Sequence, residues 1–537
     1  MLGEYFKDLK KEFKGYKLGT FANDLMAGIT VAAVALPLAL AFGVSSGVNA
    51  SAGLITAIIA GLVIGTLSGA FYQISGPTGA MAAILISIVA KYSIQGVFVA
   101  TLIAGIILLI AGIFKMGNLV SFIPMPVITG FTSGIAIIIA LGQVDNFFGT
   151  TSSGETTLEK MLSYGEIGFS INYTTMILGL AVVLFMVVFP KKWNAIVPAS
   201  LISIIIATIV AIVFKLDVAT VGAIPQTLIS ENRLMLNAID IDMVENLIVP
   251  AISIAMLGMI ESLLCGASAG RMTGVHLKSN QELVAQGIGN IILPFFGGIP
   301  ATAAIARTSV AIKSGAKTRI TGIVHAIALL AFMMILAPVM SKIPMCALAG
   351  VLMVTAFRMN EWKMIKYILK GKFKSSIAMF FITMVTTVLF DLTVAIFIGV
   401  AVALIHLVGK LSNLSISYAD VDLSRIGKSD ENLIYKDAKV IYVSGPILFA
   451  NTPKIESIME NTKGCGKIFL SMRGVSDIDI TGAQALIDLV KYMKENDVAV
   501  VISGLSDKAR LMSDRSGLTK LVGEENIYWS IDKALAA

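Results

Sequence analysis

Apolar runs long enough to cross a bilayer begin near Asn23 and recur to about Leu411, and this repetition constrains the chain more than any single motif. Inside lipid every peptide N–H and C=O must find a partner within the protein, so such runs fold as helices packed on one another. Composition agrees. Of 537 residues, 56% are hydrophobic and 14% charged, and the mean hydropathy is +0.86, values that exclude an ordinary soluble globular protein. Ser412 to Ala537 has the mixed composition of a water-soluble domain. The expected organisation is a cytoplasmic N-terminal segment (1–22), a membrane domain (23–411), a linker (412–436) and a cytoplasmic α/β domain (437–537). The first eighteen residues are charged and amphipathic and lack the apolar core and cleavage site of a signal peptide, so they read as a retained surface helix.

The net charge of +7 reports orientation better than nucleic-acid binding. About fourteen segments can be placed when short, Gly/Pro-interrupted stretches count as half-crossings. With the N-terminus inside, Lys115, Lys191, Lys192, Arg271, Lys278, Lys313, Lys317, Arg319 and the basic run from Lys363 to Lys374 all fall in cytoplasmic loops, with Lys91 and Lys342 as exceptions. An even total returns the chain inside, so both termini read as cytoplasmic and the protein as a multi-pass protein of the cytoplasmic membrane. Three cysteines (Cys265, Cys346, Cys465) and three histidines (His276, His325, His406) lie too far apart for a disulfide framework or a metal site. No metal or cofactor is expected.

Two stretches break the rules for a spanning helix. Tyr72 to Tyr92 opens with Gln73, Gly76, Pro77, Thr78, Gly79 and Ala80, and Phe295 to Arg319 carries Pro300, Ala301, Thr302, Ala303 and then Arg307. Each has a Gly/Pro break, a Thr and an Ala-rich half-helix. They are the third and tenth segments, so each is third in its own seven-segment half and the halves have opposite orientation. Non-helical backbone at this depth requires either protein burial or a wet cavity. The prolines are expected in the first helical turns, where a missing N–H costs nothing. The free N–H groups and positive dipole ends of the two half-helices would then face a common cavity, a geometry that selects anions. Arg307, expected about two turns into the second half-helix, would cost roughly 2.5–3.5 kcal/mol if unpaired near mid-bilayer, and so should face that cavity. Simple kinks, close helix packing, or an Arg307 that snorkels to the interface are the alternatives.

Glu261 is the only charge between Glu245 and Arg271 and must face protein or water. Burial and a nearby Arg307 act on it in opposite senses, which makes it the expected carrier of a coupling proton; a structural ion pair with Arg307 is the alternative. Asp24 reads as a helix cap at the start of the first segment and Asp391 as a cap between the last two. Gln73 either reaches a ligand or satisfies freed backbone. Pro37 is expected to kink the first segment, and Gly61 with Gly65 to form a packing face. In the tail, "KVIYVSGPILFA", "KIFLSMRGV" and "VAVVISGL" read as strands and "TGAQALIDLVKYMKEND" as a helix, with Asp479 and Thr481 ahead of it as N-capping residues. No nucleophile elbow, phosphate loop or metal set accompanies them, so an enzyme is not expected.

Taken together, "ISGPTGAMAAI", "GMIESLLCG", "ELVAQGIGNIILPFFGGIPATAAIARTSVAIKSGAKT" and the α/β tail resemble the SulP (sulfate permease) family of anion transporters, across nearly the whole chain. The resemblance implies an α-helical polytopic membrane protein of two inverted seven-segment repeats, forming gate and core domains, followed by a STAS-like domain. It implies an elevator-like movement, a homodimer, and an anion held between the third and tenth helices by Gln73, Thr78, Gly79, Ala80, Ala301, Thr302, Ala303 and Arg307, with Glu261 facing the same site. "MIESLLCG" and "IPATAAIAR" are most similar to bacterial members associated with proton-coupled C4-dicarboxylate transport. Sodium-coupled bicarbonate members tend to carry Asp at Glu261, so a proton is expected over sodium. "DIDITGAQAL" resembles the phospho-switch loop of anti-sigma-factor antagonists, which makes Thr481 a candidate phosphosite for a cytoplasmic kinase or regulator. The expected function is secondary active transport of sulfate, bicarbonate or a C4-dicarboxylate with proton symport. A sodium-coupled or uncoupled exchanger or channel, and a membrane anion sensor signalling through the tail, are the rivals.

Overall fold

The computed structural model describes residues 2–118, 123–154, 157–190, 198–235, 237, 239–390, 392–422 and 437–537. Lys191, Lys192 and Asp391, assigned roles above, lie outside the described residues. The chain forms two compact units, Met1–Ala401 and Val402–Ala537.

The first unit is helical. After the surface helix α1 (Leu2–Glu12) come α2 (Leu18–Ser45), α3 (Ala50–Leu67), the short strand β1 (Ser75–Gly76), α4 (Gly79–Ile113) and α5 (Met125–Leu141). Next are α6 (Val144–Phe148), α7 (Thr157–Ile167), α8 (Tyr173–Val188), α9 (Ala199–Val213), α10 (Ile241–Thr273) and α11 (Ser279–Phe296). Strand β2 (Thr302–Ala303) precedes α12 (Ile305–Lys313), α13 (Ile320–Met340), α14 (Met345–Met359), α15 (Trp362–Lys370), α16 (Lys374–Leu389) and α17 (Leu392–Leu411). Among the described residues six helices are long and apolar enough to cross a membrane, including α2, α4, α10 and α13. Helix α4 bends sharply at Ser93, whose φ of 60° leaves the helical region and divides the expected third segment from the fourth.

Packing sorts these helices into two groups. Helices α2, α3, α4, α10, α11, α12 and α13 pack chiefly on one another, while α5 packs on α14 and α16 and α8 on α9 and α14. Both broken segments belong to the first group. Within it Gly61 and Gly65 face α13, as expected of a packing pair; a Cβ on Gly61 would come within 2.9 Å of His325 Nδ1 and 3.2 Å of Ala326 Cβ.

The N-terminal residues tie this group together at one end. The Tyr5 hydroxyl donates to the Thr66 carbonyl at 2.7 Å, Glu12 pairs with Arg319 at 2.8 Å, and Asp8 pairs with Lys278. Asp24 departs from expectation. Because α2 begins at Leu18, Asp24 lies inside the helix rather than at its cap. Fully buried, its carboxylate accepts the Lys317 and Thr318 N–H groups at 2.7 and 3.0 Å and the Thr318 and Thr321 hydroxyls at 2.6 and 2.9 Å. It holds the turn that leads into α13, not the start of its own helix.

The second unit is a five-stranded sheet in the order β3 (Ser415–Asp420), β4 (Ala438–Ser444), β5 (Lys467–Gly474), β6 (Ala499–Ser503) and β7 (Ile527–Tyr528). Strand β3 runs antiparallel to β4, with Ser415 opposite Ser444, and the others are parallel. The stretch read as a linker, 412–436, therefore supplies an edge strand, Ser415–Asp420, whose side chains are exposed except for the half-buried Ile416. Helices α18 (Thr452–Asn461) and α19 (Ile480–Glu495) follow β4 and β5. Leu486, Leu489, Val490 and Met493 bury one face of α19. Asp479 caps α19 by accepting the Gly482 N–H at 2.7 Å, and Thr481 stands exposed in the first turn rather than ahead of it.

Replacing Asp24 by Ala would leave two N–H groups and two buried hydroxyls without their acceptor, a loss of about 2–4 kcal/mol. Asp24→Ala is expected to lower the thermal unfolding midpoint of detergent-purified protein, and Asp24→Asn to lower it less.

Candidate functional site

The two broken segments meet. Strands β1 and β2 pair antiparallel, with Ser75 opposite Ala303 and Gly76 opposite Thr302. Extended backbone so deep in the bundle would leave N–H and C=O groups unpaired, and side chains from neighbouring helices take them up. The Ile74 N–H donates to Thr308 Oγ1 at 3.1 Å, the Ala304 N–H to the Ile74 carbonyl at 3.0 Å, the Ile299 N–H to Thr56 Oγ1 at 2.7 Å, and the Ala303 N–H to Ser262 Oγ at 3.2 Å.

Each extended stretch then turns into a helix. Thr78 is the N-cap of α4, its hydroxyl oxygen accepting the Met81 N–H at 3.4 Å and donating to Glu261 Oε2 at 2.9 Å. Ala304 is the N-cap of α12 and offers no side-chain cap. Neither proline stands in a first turn: Pro77 precedes the cap, and Pro300 lies in the extended stretch. The first-turn N–H groups of Gly79, Ala80, Ile305 and Ala306 meet no acceptor among the described residues. Gly79 and Ala80 are buried, while Ile305 is 45% exposed, so the end of α12 opens to accessible space. Two helix N-termini with spare donors thus sit on one small sheet.

Arg307 is in the first turn of α12, not two turns in, because the chain stays extended to Ala303. It is 1% exposed and does not snorkel. Its Nη2 donates to the Pro77 carbonyl at 2.5 Å, its Nη1 has no hydrogen-bond partner, and among the described residues it forms no ion pair with Glu261. A Cβ on Gly76 would overlap the guanidinium, so a larger residue there would push Arg307 out of this position. Arginine thereby links the two broken segments and keeps one donor free. Glu261 is half-buried and reaches the same place from α10.

Of the remaining expected residues, Thr302 and Ser262 share a hydrogen bond of 2.8 Å, and Ala301 is fully buried. Gln73 Nε2 donates to the Ser262 carbonyl, inside helix α10, at 3.0 Å, while its Oε1 is buried and unpartnered. Thr481 belongs to the second unit. Sequence reasoning missed Ser262, Thr308, Gln286 and Asn290. Ser262 directly follows Glu261, and Gln286 and Asn290 are polar residues four apart in an apolar helix, signals that were present but unread. A groove of about 470 Å³ between α8 and α9 is apolar, walled by residues such as Ile177, Phe185 and Ile206, and none of the site residues lines it.

Comparison with known proteins bears on the family and the fold. The sulfate permease family profile matches residues 21–404, and the STAS domain profile matches 431–534. YvdB of Bacillus subtilis is 34% identical over 96% of this chain and 97% of its own. The bicarbonate transporter BicA of Synechocystis sp. is 30% identical over 96% of this chain and 93% of its own. Murine Slc26a9, an anion transporter solved in an inward-facing state, superposes with a TM-score of 0.84 over 97% of this chain and 92% of its own at 18% identity, which speaks for the fold.

Thr78→Ser keeps both the helix cap and the bond to Glu261 and is expected to unfold like wild type. Thr78→Val loses both and should cost about 1–2 kcal/mol, read as a lowered unfolding midpoint in detergent.

Proposed function

Because the chain belongs to the sulfate permease family, we propose that it is a secondary active transporter whose anion rests between the N-terminal ends of α4 and α12. The coarse assignment follows from the family: a multi-pass SulP-type anion transporter carrying a STAS domain. The observation that carries the finer reading is the pairing of β1 with β2, which brings two sets of unsatisfied helix N–H groups and the free Nη1 of Arg307 to one place. Fixed donors in a site of low polarity attract an anion without reorganising. Gln73, Thr78, Gly79, Ala80, Ala301, Thr302, Ala303 and Arg307 compose that site or the backbone that forms it.

Glu261 is the group to which the coupling proton is assigned. It is half-buried, is bonded to the Thr78 cap and has no ion-pair partner in Arg307. A proton carried there removes a negative charge beside the arriving anion, so the two load together. The helix grouping supports an elevator movement, since both broken segments lie in the group of α2, α3, α4 and α10 to α13 and could travel as one body past α5, α8, α14 and α16. Sulfate, bicarbonate and C4-dicarboxylates are the substrate classes, the second supported by the similarity to BicA. The cytoplasmic membrane, cytoplasmic termini and a homodimer complete the reading, with Thr481 exposed for a kinase or other regulator.

Uptake of radiolabelled sulfate, bicarbonate and succinate into sealed proteoliposomes tests this. An inward proton gradient should drive accumulation of at least one of them and a sodium gradient should not. Arg307→Ala should raise the KM by about tenfold or more. Glu261→Gln should abolish gradient-driven accumulation while leaving anion exchange; accumulation that survives in Glu261→Gln would assign the proton elsewhere.

A further inference from the structure

One stripe of α11 carries Glu282, Gln286 and Asn290, which stand four residues apart and so share a helix face. All three are at most 1% exposed, a costly set of side chains for a helix in lipid unless each is employed. Asn290 meets Ala301 with both ends of its amide. Its Oδ1 accepts the Ala301 N–H at 2.8 Å and its Nδ2 donates to the Ala301 carbonyl at 3.0 Å, as a neighbouring strand would. One turn earlier, Gln286 Nε2 donates to Ser75 Oγ at 2.9 Å and to Glu282 Oε1 at 2.8 Å. Glu282 in turn accepts from the Ser68 hydroxyl at 2.6 Å and the Gly69 N–H at 3.0 Å. A single helix therefore grips β1 through Ser75 and the approach to β2 through Ala301.

The geometry points to Asn290 and Gln286 as positioning residues that set the gap between the N-terminal ends of α4 and α12, with Glu282 fixing the orientation of the Gln286 amide. Strands of two residues each make too few ladder bonds to hold their own register. Register must come from outside, and α11 supplies it to both strands at once. Without that grip β1 and β2 remain adjacent but their donors drift, and binding by preorganised donors falls off over displacements of about an ångström. This role presupposes that the two helix ends hold the anion, as proposed above.

The test is kinetic and structural together. In proteoliposomes, Asn290→Ala and Gln286→Leu should each raise the KM for radiolabelled sulfate or bicarbonate by about tenfold, while Vmax per folded transporter stays within about twofold. Thr101→Val is the control: this buried hydroxyl bonds only within α4, to the Val97 carbonyl at 2.6 Å, and its loss should leave KM unchanged. Hydrogen–deuterium exchange in detergent, which needs no transport, should quicken in residues 299–304 for Asn290→Ala and in 73–80 for Gln286→Leu. If Asn290→Ala does not fold, Asn290→Asp keeps the acceptor for the Ala301 N–H and loses the donor, so it should show the same effects in weaker form. Wild-type KM in both variants, or a fall in Vmax alone with unchanged exchange, would overturn the positioning role. Faster exchange in a protein whose wild type moves neither anion would leave the role standing and remove the anion reading instead.

Discussion

A peptide group in lipid has no water to turn to, and the rest of this structure follows from how that requirement is met where the helices stop. The stretches around 73–78 and 299–304 leave the helical path, and their backbone is paired group by group: with each other through β1 and β2, and with Thr56, Ser262, Asn290 and Thr308 from four different helices. The accounting closes almost everywhere. It stays open at Gly79, Ala80, Ile305 and Ala306, whose N–H groups meet no acceptor among the described residues, at Nη1 of Arg307, and at the buried Oε1 atoms of Gln73 and Gln286. The open donors among these are what the proposed anion site draws on.

The breaks themselves were legible because Gly, Pro and Thr are local signals: Gly76-Pro77-Thr78 and Pro300-Ala301-Thr302 announce a stop in any apolar helix. Their partners were not. Ser262 supports Ala303 from 41 residues away, and Thr56 supports Ile299 from 243 away; nothing in a serine or threonine on an apolar helix says which distant amide it serves. Arg307 was placed too deep in its helix because Pro300 suggested a helix start, whereas pairing with β1 keeps the chain extended for several more residues. Asp24 differs from expectation for a related reason: a carboxylate near a helix start suggests a cap, but the backbone it holds is the turn at Lys317 and Thr318 that precedes α13. Strand β3 escaped notice since its two outward serines and single tyrosine follow an apolar helix without a turn signal.

Arginine is well suited to the junction it occupies. Its planar fork donates to Pro77 with one arm and leaves the other unengaged, a division of labour that a lysine, with one compact charge, would not reproduce. Glycine at 76 is the counterpart, since any side chain there would collide with the fork. The N-terminal residues add a second layer of order. Glu12, Asp24 and Tyr5 bind Arg319, the turn before α13, and Thr66, so helices α3 and α13 are fastened together through the N-terminal part of the chain.

The pairing of β1 with β2 also bears on how the protein is made. Ile74 waits for Thr308, which lies 234 residues later in the chain; at synthesis rates of about 5–20 residues per second that is a delay of roughly 10–50 s. Throughout that interval the counterpart has not yet emerged from the ribosome, so the earlier ribbon of backbone cannot complete its pairing until the later half arrives.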